Sequence, residues 1–391
     1  MKVQRLLRRT AAQAFRVLMR IVPVRRRVFV TSWPPDEGNA VEVVRALIER
    51  YPGQIVWADP PADVRLRQLG IDPARVVRTG KRSWRAIRAF LSAEASFFTH
   101  GVYGCPRPVA NKALVNLWHG DGPKAHAGAL VPSTFLVSGS RVFGQSLARV
   151  FGVDPANVLL TGLPRAAQCR RAVSAEQLRQ LGIDPTAPFV VWMPTYRQTS
   201  AAGLNVARSD TADPSADLEL AKQIVPAAAA LANVGIQLVV KPHPSDLVSR
   251  RFDLFTAVSD RALEEAGTTL YAFLGASAGL LTDYSSVWTD YLVTDRPIGF
   301  FMPDLESYEG GRGLQNNTLD HLPGVRLSQS ADFEGFAQEV LDPGTGPGKA
   351  LRRRAREYFG ITHPPQPAGL LLEELARRGV FTLLTTTGKG P

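Results

Sequence analysis

Cysteine is scarce in this chain of 391 residues, which holds only Cys105 and Cys169, and the pair offers neither metal-ligand spacing nor a disulfide framework. A reducing compartment is the default setting for such a protein. Long apolar runs are missing as well. The longest uncharged stretch, Gln223 to Val240, is interrupted by Pro226, Asn233 and Gly235, so it reads as a helix followed by a strand and not as a membrane span. Acidic residues are absent from positions 1–35, where nine bases stand: Lys2, Arg5, Arg8, Arg9, Arg16, Arg20, Arg25, Arg26 and Arg27. Taking those nine from the total of 46 leaves 37 bases against 35 acids, so the net charge of +11 belongs almost wholly to the start of the chain. A general nucleic-acid surface is excluded on that ground, because backbone binding needs a basic face on the fold itself. A secretory signal is excluded too, since Arg16 and Arg20 break any apolar core of useful length. No short-period repeat occurs, and no carboxylate cluster stands at metal spacing, so no metal is assigned.

What is present is first of all an amphipathic start. Val3, Leu6, Leu7, Ala14, Val17, Leu18 and Ile21 fall on one helical face, with Arg5, Arg8, Arg9, Arg16 and Arg20 largely off it. Residues 1–27 are therefore expected to form a basic helix lying on an anionic membrane surface, with Arg25-Arg26-Arg27 adding to the attraction. Two plainer readings stand beside it: a helix packed on the domain with a solvated basic face, and an Arg-rich organellar transit peptide.

The body, 45% hydrophobic and 21% charged, has the composition of an ordinary globular protein long enough for two cores. Strand-like runs at Val28–Thr31, Ile55–Ala58, Val76–Arg78, Ser96–Thr99, Leu114–Leu117 and Phe135–Val137 alternate with helix-like segments such as Val41–Arg50 and Trp84–Leu91. That alternation predicts a parallel sheet with crossover helices. The pattern repeats over residues 188–327, after Val158–Thr161 and Gly162-Leu163-Pro164-Arg165. The expected fold is thus α/β, with two Rossmann-like domains, 28–170 and 171–360, facing a cleft. A C-terminal helix and tail occupy 361–391, reached through the turn-rich linker 342–348.

Polar clusters follow the strands of the second half. Gly279–Thr282 reads as the end of a buried strand and is followed by Asp283-Tyr284-Ser285-Ser286, after which Val287, Tyr291 and Leu292 recur at helical spacing. A helix start leaves backbone N–H groups unpaired at the positive end of the dipole, and two serines add hydroxyls, a combination suited to phosphate. A serine N-cap is the plainer alternative. Phe189–Met193 runs into Pro194-Thr195-Tyr196-Arg197, and Gln237–Val240 into Lys241-Pro242-His243-Pro244. In an open parallel sheet ligands bind beyond the carboxyl ends of the strands. Three such ends carrying Arg, Lys plus His, and Ser plus Ser favour an anion site.

Upstream, the strand Leu114–Leu117 leads into Trp118-His119-Gly120-Asp121-Gly122-Pro123-Lys124. A histidine beside tryptophan is commonly a packed residue. This one ends a strand, enters a Gly/Pro turn and stands two residues from a carboxylate, as a general base at neutral pH would.

Taken together, these blocks resemble the CDP-glycerol glycerophosphotransferase family, whose members prime or polymerise teichoic acids and related polyol-phosphate polymers. The resemblance rests on Trp118-His119-Gly120 with Lys124, Gly162–Arg165, Pro194–Arg197, Lys241–Pro244 and the run from Thr282 to Phe301, and extends through Arg312-Gly313 and Pro323-Gly324. It implies a GT-B type fold, a CDP-linked polyol donor on the second domain and a membrane-linked acceptor. The chain departs from the family pattern at Ala166-Ala167, at Leu314-Gln315-Asn316-Asn317 and at His363–Ala368.

The reading that follows is a peripheral enzyme on the cytoplasmic face of the membrane. It would move glycerol phosphate, or a related polyol phosphate, from a CDP-linked donor to a hydroxyl of a lipid-linked polymer acceptor, releasing CMP. His119 would take the proton, with Asp121 orienting or assisting. Arg197, Lys241, His243, Ser285 and Ser286 would hold the diphosphate and offset charge on the leaving CMP. Thr195, Asp283 and Asp290 would support the nucleotide or the turn. No bound cofactor is required beyond CDP-glycerol as co-substrate. Residues 198–217 are either a lid over the donor or a disordered insert. The rivals are a nucleotide-sugar glycosyltransferase or epimerase of the same fold, and a non-catalytic membrane scaffold.

Overall fold

The structure, a computed structural model, describes residues 2–124, 130–195, 224–242, 255–306, 308 and 313–384, with the backbone alone for residues 2–9. The chain forms two compact units. One comprises Met1–Asp121, Gly128–Ala167 and Ile361–Pro391, the other Gly122–Ala127 and Gln168–Gly360. The C-terminal helix is thus part of the first unit, and a short piece following Asp121 is part of the second.

In the first unit β1 (Arg25–Thr31), β2 (Gln54–Ala58), β3 (Val77–Thr79), β4 (Ala93–Phe98), β5 (Ala113–Asn116), β6 (Phe135–Val137) and β7 (Val158–Leu159) pair in the order β3-β2-β1-β4-β5-β6-β7. Every pairing is parallel. Successive side chains of a strand point to opposite faces, and both faces are apolar here. Val28 and Val30 pack with Leu47 of helix Gly38–Arg50 and with Leu371 and Leu375 of helix Pro367–Arg377. Phe29 packs on the other side with Met19, Phe90 and Leu147. Helices therefore cover both faces, as in a doubly wound Rossmann-like domain.

The N-terminal helix, Lys2–Ile21, is two-sided. Phe15 stacks on Tyr103 with ring centroids 5.0 Å apart and meets the edge of Phe90, while Met19 is buried. The Lys112 ammonium donates to the carbonyls of Met19 (2.6 Å) and Val22 (2.5 Å), satisfying groups that a helix end leaves unpaired. Of the apolar face read from the sequence, Ala14, Val17, Leu18 and Ile21 remain exposed, Ile21 to 68%, while the side chains of Val3, Leu6 and Leu7 lie outside the described ones. Arg25-Arg26-Arg27 correct the expected boundary. They open β1, because Val28-Phe29-Val30 must reach the centre of the sheet.

The second unit repeats the architecture. β8 (Phe189–Met193), β9 (Gln237–Val240), β10 (Thr256–Ala257), β11 (Gly279–Thr282), β12 (Ile298–Phe301) and β13 (Val325–Leu327) lie parallel in the order β10-β9-β8-β11-β12-β13. Val190, Trp192 and Leu281 pack against Leu231, Phe333, Phe336 and Val340. The helix after β11 is short, Val287–Tyr291, and continues as a 3₁₀ turn over Leu292–Thr294. Asp295 ends it in the left-handed region at φ 56°, with its carboxylate accepting from Arg356 (2.9 Å) and Arg352 (3.3 Å). Ser285 and Ser286 stand at the start of this short helix, where the N–H groups of its first turn have no intrahelical partner.

Candidate active site

The strand order of the second sheet reverses between β8 and β11, the place where an open α/β sheet binds ligands. Thr195 follows β8 and Asp283 follows β11. The Thr195 amide donates to both oxygens of Asp283 (3.0 and 2.8 Å), and its hydroxyl donates to Oδ1 at 2.6 Å. Asp283 is buried and also accepts the Ser285 amide at 3.2 Å. Ser285 and Ser286 are the half-exposed members of an otherwise buried run. Ser286 makes no side-chain cap, and Ser285 Oγ receives only a long bond, 3.4 Å, from the Val287 amide. Serine N-capping is therefore a minor use of these hydroxyls. Asp290 is buried within its short helix.

A strap from earlier in the chain reaches this edge. Lys124 Nζ donates to Thr195 Oγ1 at 3.3 Å, extending the line Lys124, Thr195, Asp283. Lys124 forms an antiparallel bridge with Leu314, the Gln315 amide donates to Pro123 O (2.7 Å) and Gln315 Nε2 to Gly122 O (3.0 Å). Gly122 lies against Ser286 so closely that a Cβ there would stand 2.5 Å from Ser286 Cβ. Lys241, at the end of β9, is buried with its ammonium 3.0 Å from Asp260 and donating to Pro242 O. Arg197 and His243 lie outside the described residues, as does the segment 198–217. Beyond β11, Tyr284 donates to Asp304 at 3.1 Å and stacks on Tyr308 with centroids 3.7 Å apart.

In the first unit the chain leaves β5 through Trp118, whose φ of 50° is unusual for a bulky residue. The Trp118 amide donates to Asn116 Oδ1 (2.9 Å), and its carbonyl accepts from Asn39 Nδ2 (3.1 Å). The next carbonyl, that of His119, accepts from Arg165 at 2.7 Å. Arg165 is itself buried beside Glu37 (3.5 Å), which caps helix Gly38–Arg50 by accepting the amides of Asn39 and Ala40. His119 is half-buried, its ring 3.9 Å from that of Trp118 and stacked on His100 at 4.3 Å with an 8° interplanar angle. The Asp121 carboxylate accepts Ser138 Oγ at 2.9 Å and the Gly139 amide at 2.6 Å, which fixes the turn that follows His119.

The structure thus brings Thr195, Asp283, Ser285 and Ser286 together and sets His119 with Asp121 on the carboxyl side of the first sheet. Glu37, Asn39, His100 and Gln315 were not singled out by sequence. They act through main-chain groups, an ion pair or ring stacking, which no linear spacing encodes. Lys124 was named in its block but given no role, and its bond to Thr195 gives it a place.

Two doubly wound α/β units, each with polar groups massed beyond the carboxyl ends of a parallel sheet, define a two-domain Rossmann-like protein. The chain belongs to the CDP-glycerol:poly(glycerophosphate) glycerophosphotransferase family, whose sequence profile matches residues 37–359. The teichoic acid glycerol-phosphate primase of Bacillus subtilis (strain 168) is 25% identical over 209 residues, 54% of this chain and 49% of that protein. The primase of the same description from Staphylococcus aureus (strain NCTC 8325 / PS 47) is 23% identical over 313 residues, covering 73% of this chain and 76% of that one. The chain therefore spans about half the length of the first relative. A variant of the wall teichoic acid polymerase TagF shares the fold, with a TM-score of 0.68 over 97% of this chain and 98% of that one at 17% identity.

Proposed function

We propose that the protein transfers glycerol phosphate, or a related polyol phosphate, from a CDP-linked donor to a polyol hydroxyl of a membrane-linked acceptor. The acceptor oxygen attacks the phosphorus that carries the polyol, the bond from that phosphorus to CMP breaks, and the hydroxyl proton passes to His119. The knot of Thr195, Asp283 and Lys124 at the β8/β11 switch point carries the reading. It sets a cation and the Ser285 and Ser286 hydroxyls where a sheet of this order receives a nucleotide, and phosphoryl transfer depends mainly on such positioning and charge. Lys241 shares its charge with Asp260. Arg197 and His243 complete the proposed diphosphate grip, with Asp290 in support. Asp121 serves by holding the turn after His119.

The exposed stripe Ala14, Val17, Leu18, Ile21 and the bases around it support docking on an anionic bilayer, as expected for an enzyme working on a lipid-linked acceptor at the cytoplasmic face. Among the described residues no helix is long and apolar enough to cross a membrane. The product would be a teichoic-acid-like or capsular polymer, or its primer.

The test is nucleotide release by the purified full chain from CDP-glycerol, CDP-ribitol and UDP-sugars, with mass spectrometry of product made on a synthetic lipid-linked acceptor. CMP release with acceptor growth is the expected result. Turnover of UDP-sugars alone would point to a glycosyltransferase or epimerase, and failure to bind any cytidine nucleotide to a scaffold.

A further inference from the structure

The carboxyl edge of the first sheet holds a second group of chemistry-bearing side chains that the transfer reading leaves unused. Trp33 follows β1, Lys81 follows β3 and His100 follows β4, on either side of the β1/β4 reversal in strand order. Trp33 is exposed to 65%, so its indole contributes little to the core. Its amide donates to Thr99 Oγ1 (3.2 Å), and Thr99 Oγ1 lies 3.0 Å from His100 Nδ1. A threonine hydroxyl that accepts the Trp33 N–H still has one proton to give. In the tautomer where that proton goes to Nδ1, Nε2 is the protonated nitrogen of the neutral ring. The edge of Trp33 meets the His100 ring at 5.5 Å and 82°, and His100 in turn stacks on His119. Trp33, His100 and His119 thus form a continuous row ending at the proposed base.

Lys81 is held beside this row. Its amide donates to Asp59 Oδ1 (2.9 Å) and its carbonyl accepts the Tyr103 hydroxyl (2.6 Å), so the backbone is pinned at both ends of the residue. Burial lowers the Lys81 pKa, with Asp59 and then the Cys105 thiol pulling the other way. Desolvation by the crowded rings, and then the Lys81 charge, lower that of His100, although the outer part of His100 is exposed. Lys81 thus presents a half-buried positive charge at the same sheet edge as His100.

We propose that Lys81, His100 and Trp33 form an acceptor subsite for a polyol phosphate, binding the phosphate adjacent to the attacking hydroxyl. Lys81 and His100 Nε2–H donate to the phosphate oxygens, and the indole takes the C–H face of the polyol. This rests on the transfer reading above and gives the acceptor a site separate from the donor phosphates on the second unit.

Imidazole NMR of the full-length, histidine-labelled protein titrated with glycerol 3-phosphate tests it without reading turnover. His100→Gln assigns the signal. The His100 resonance is expected to shift and saturate, with no response to glycerol and no displacement by saturating CMP. Lys81→Gln should weaken the titration by about tenfold, the usual scale for loss of a charge-assisted hydrogen bond, and Lys81→Arg should recover most of it. A silent His100, unchanged affinity in Lys81→Gln with an unchanged melting curve, or displacement by CMP would overturn the subsite. CMP release from CDP-glycerol with a silent His100 would sink the subsite alone. A responding His100 with no CMP release would sink the transfer reading alone.

Discussion

Thr195 and Asp283 stand 88 residues apart in the chain and are joined by three contacts, the shortest a 2.6 Å bond from the threonine hydroxyl to the carboxylate. They tie the ends of β8 and β11 together where the strand order reverses, and Lys124 joins them through Thr195. A buried carboxylate that accepts two backbone amides and a hydroxyl is a scaffold for the loops around it. Asp283→Asn keeps the shape but loses the charge and one acceptor. It should cost about 1–3 kcal/mol of stability by leaving an amide or hydroxyl underserved. Thr195→Val should cost less, and the pair should be non-additive because they share the interaction. Denaturant titration of the two singles and the double checks this. Strict additivity would mean that the knot does not couple the loops.

Gly122 has no room for a side chain, since a Cβ would sit 2.5 Å from Ser286 Cβ. Gly122→Ala should displace Ser286 and weaken CDP-glycerol binding by about tenfold, with the fold retained. Ser285→Ala with Ser286→Ala should reduce affinity by a similar factor or more, by removing two hydroxyl donors. Calorimetry with CDP-glycerol and CMP measures both. Wild-type affinity in the double serine variant would relocate the phosphates.

His119→Ala should lower turnover by about 10²–10⁴ while leaving donor affinity little changed, the range for loss of a general base. Arg165 grips the His119 carbonyl, so Arg165→Met should lower turnover through misplacement. It should also cost stability, because the buried Glu37 would lose the guanidinium beside it. Near wild-type turnover in His119→Ala would remove the histidine from the chemistry.

Much of the fold was legible because the strands carry strong local signals. Phe189–Met193, Gln237–Val240 and Gly279–Thr282 are largely apolar runs, each followed by a polar cluster; the first two are strands with those limits, and the third is a strand ending at Thr282. β4 was harder. Its sequence signal centres on Ser96–Thr99, yet the strand begins at Ala93, because helix Trp84–Ser92 passes into it with no Gly or Pro between. β10, two residues long, gave no period to read. The site was half legible. Residues at strand ends stood out, whereas Asn39, Arg165 and Gln315 contribute through main-chain carbonyls set by tertiary packing. The Gln315 stretch, a departure from the family pattern, is what clamps the strap that carries Lys124.

The basic N-terminal helix can be tested without cutting it away. Deleting residues 1–27 would remove the first three residues of β1 and uncover Phe90 and Tyr103, so lost binding could reflect damage to the fold. Replacing Val17, Leu18 and Ile21 by serine alters exposed positions and spares Phe15 and Met19, which pack inward. Such surface changes rarely move stability by more than about 0.5 kcal/mol. If the stripe docks on lipid, the triple variant should melt as the parent does, keep activity on a soluble acceptor and lose sedimentation with anionic vesicles. Arg20→Gln with Arg26→Gln, both exposed, should weaken sedimentation by about 1 kcal/mol per base and flatten its salt dependence. Equal sedimentation of parent and triple variant at low salt would show that the apolar stripe is no membrane surface. The helix would then serve only to cover the Phe15 and Met19 side of the first unit.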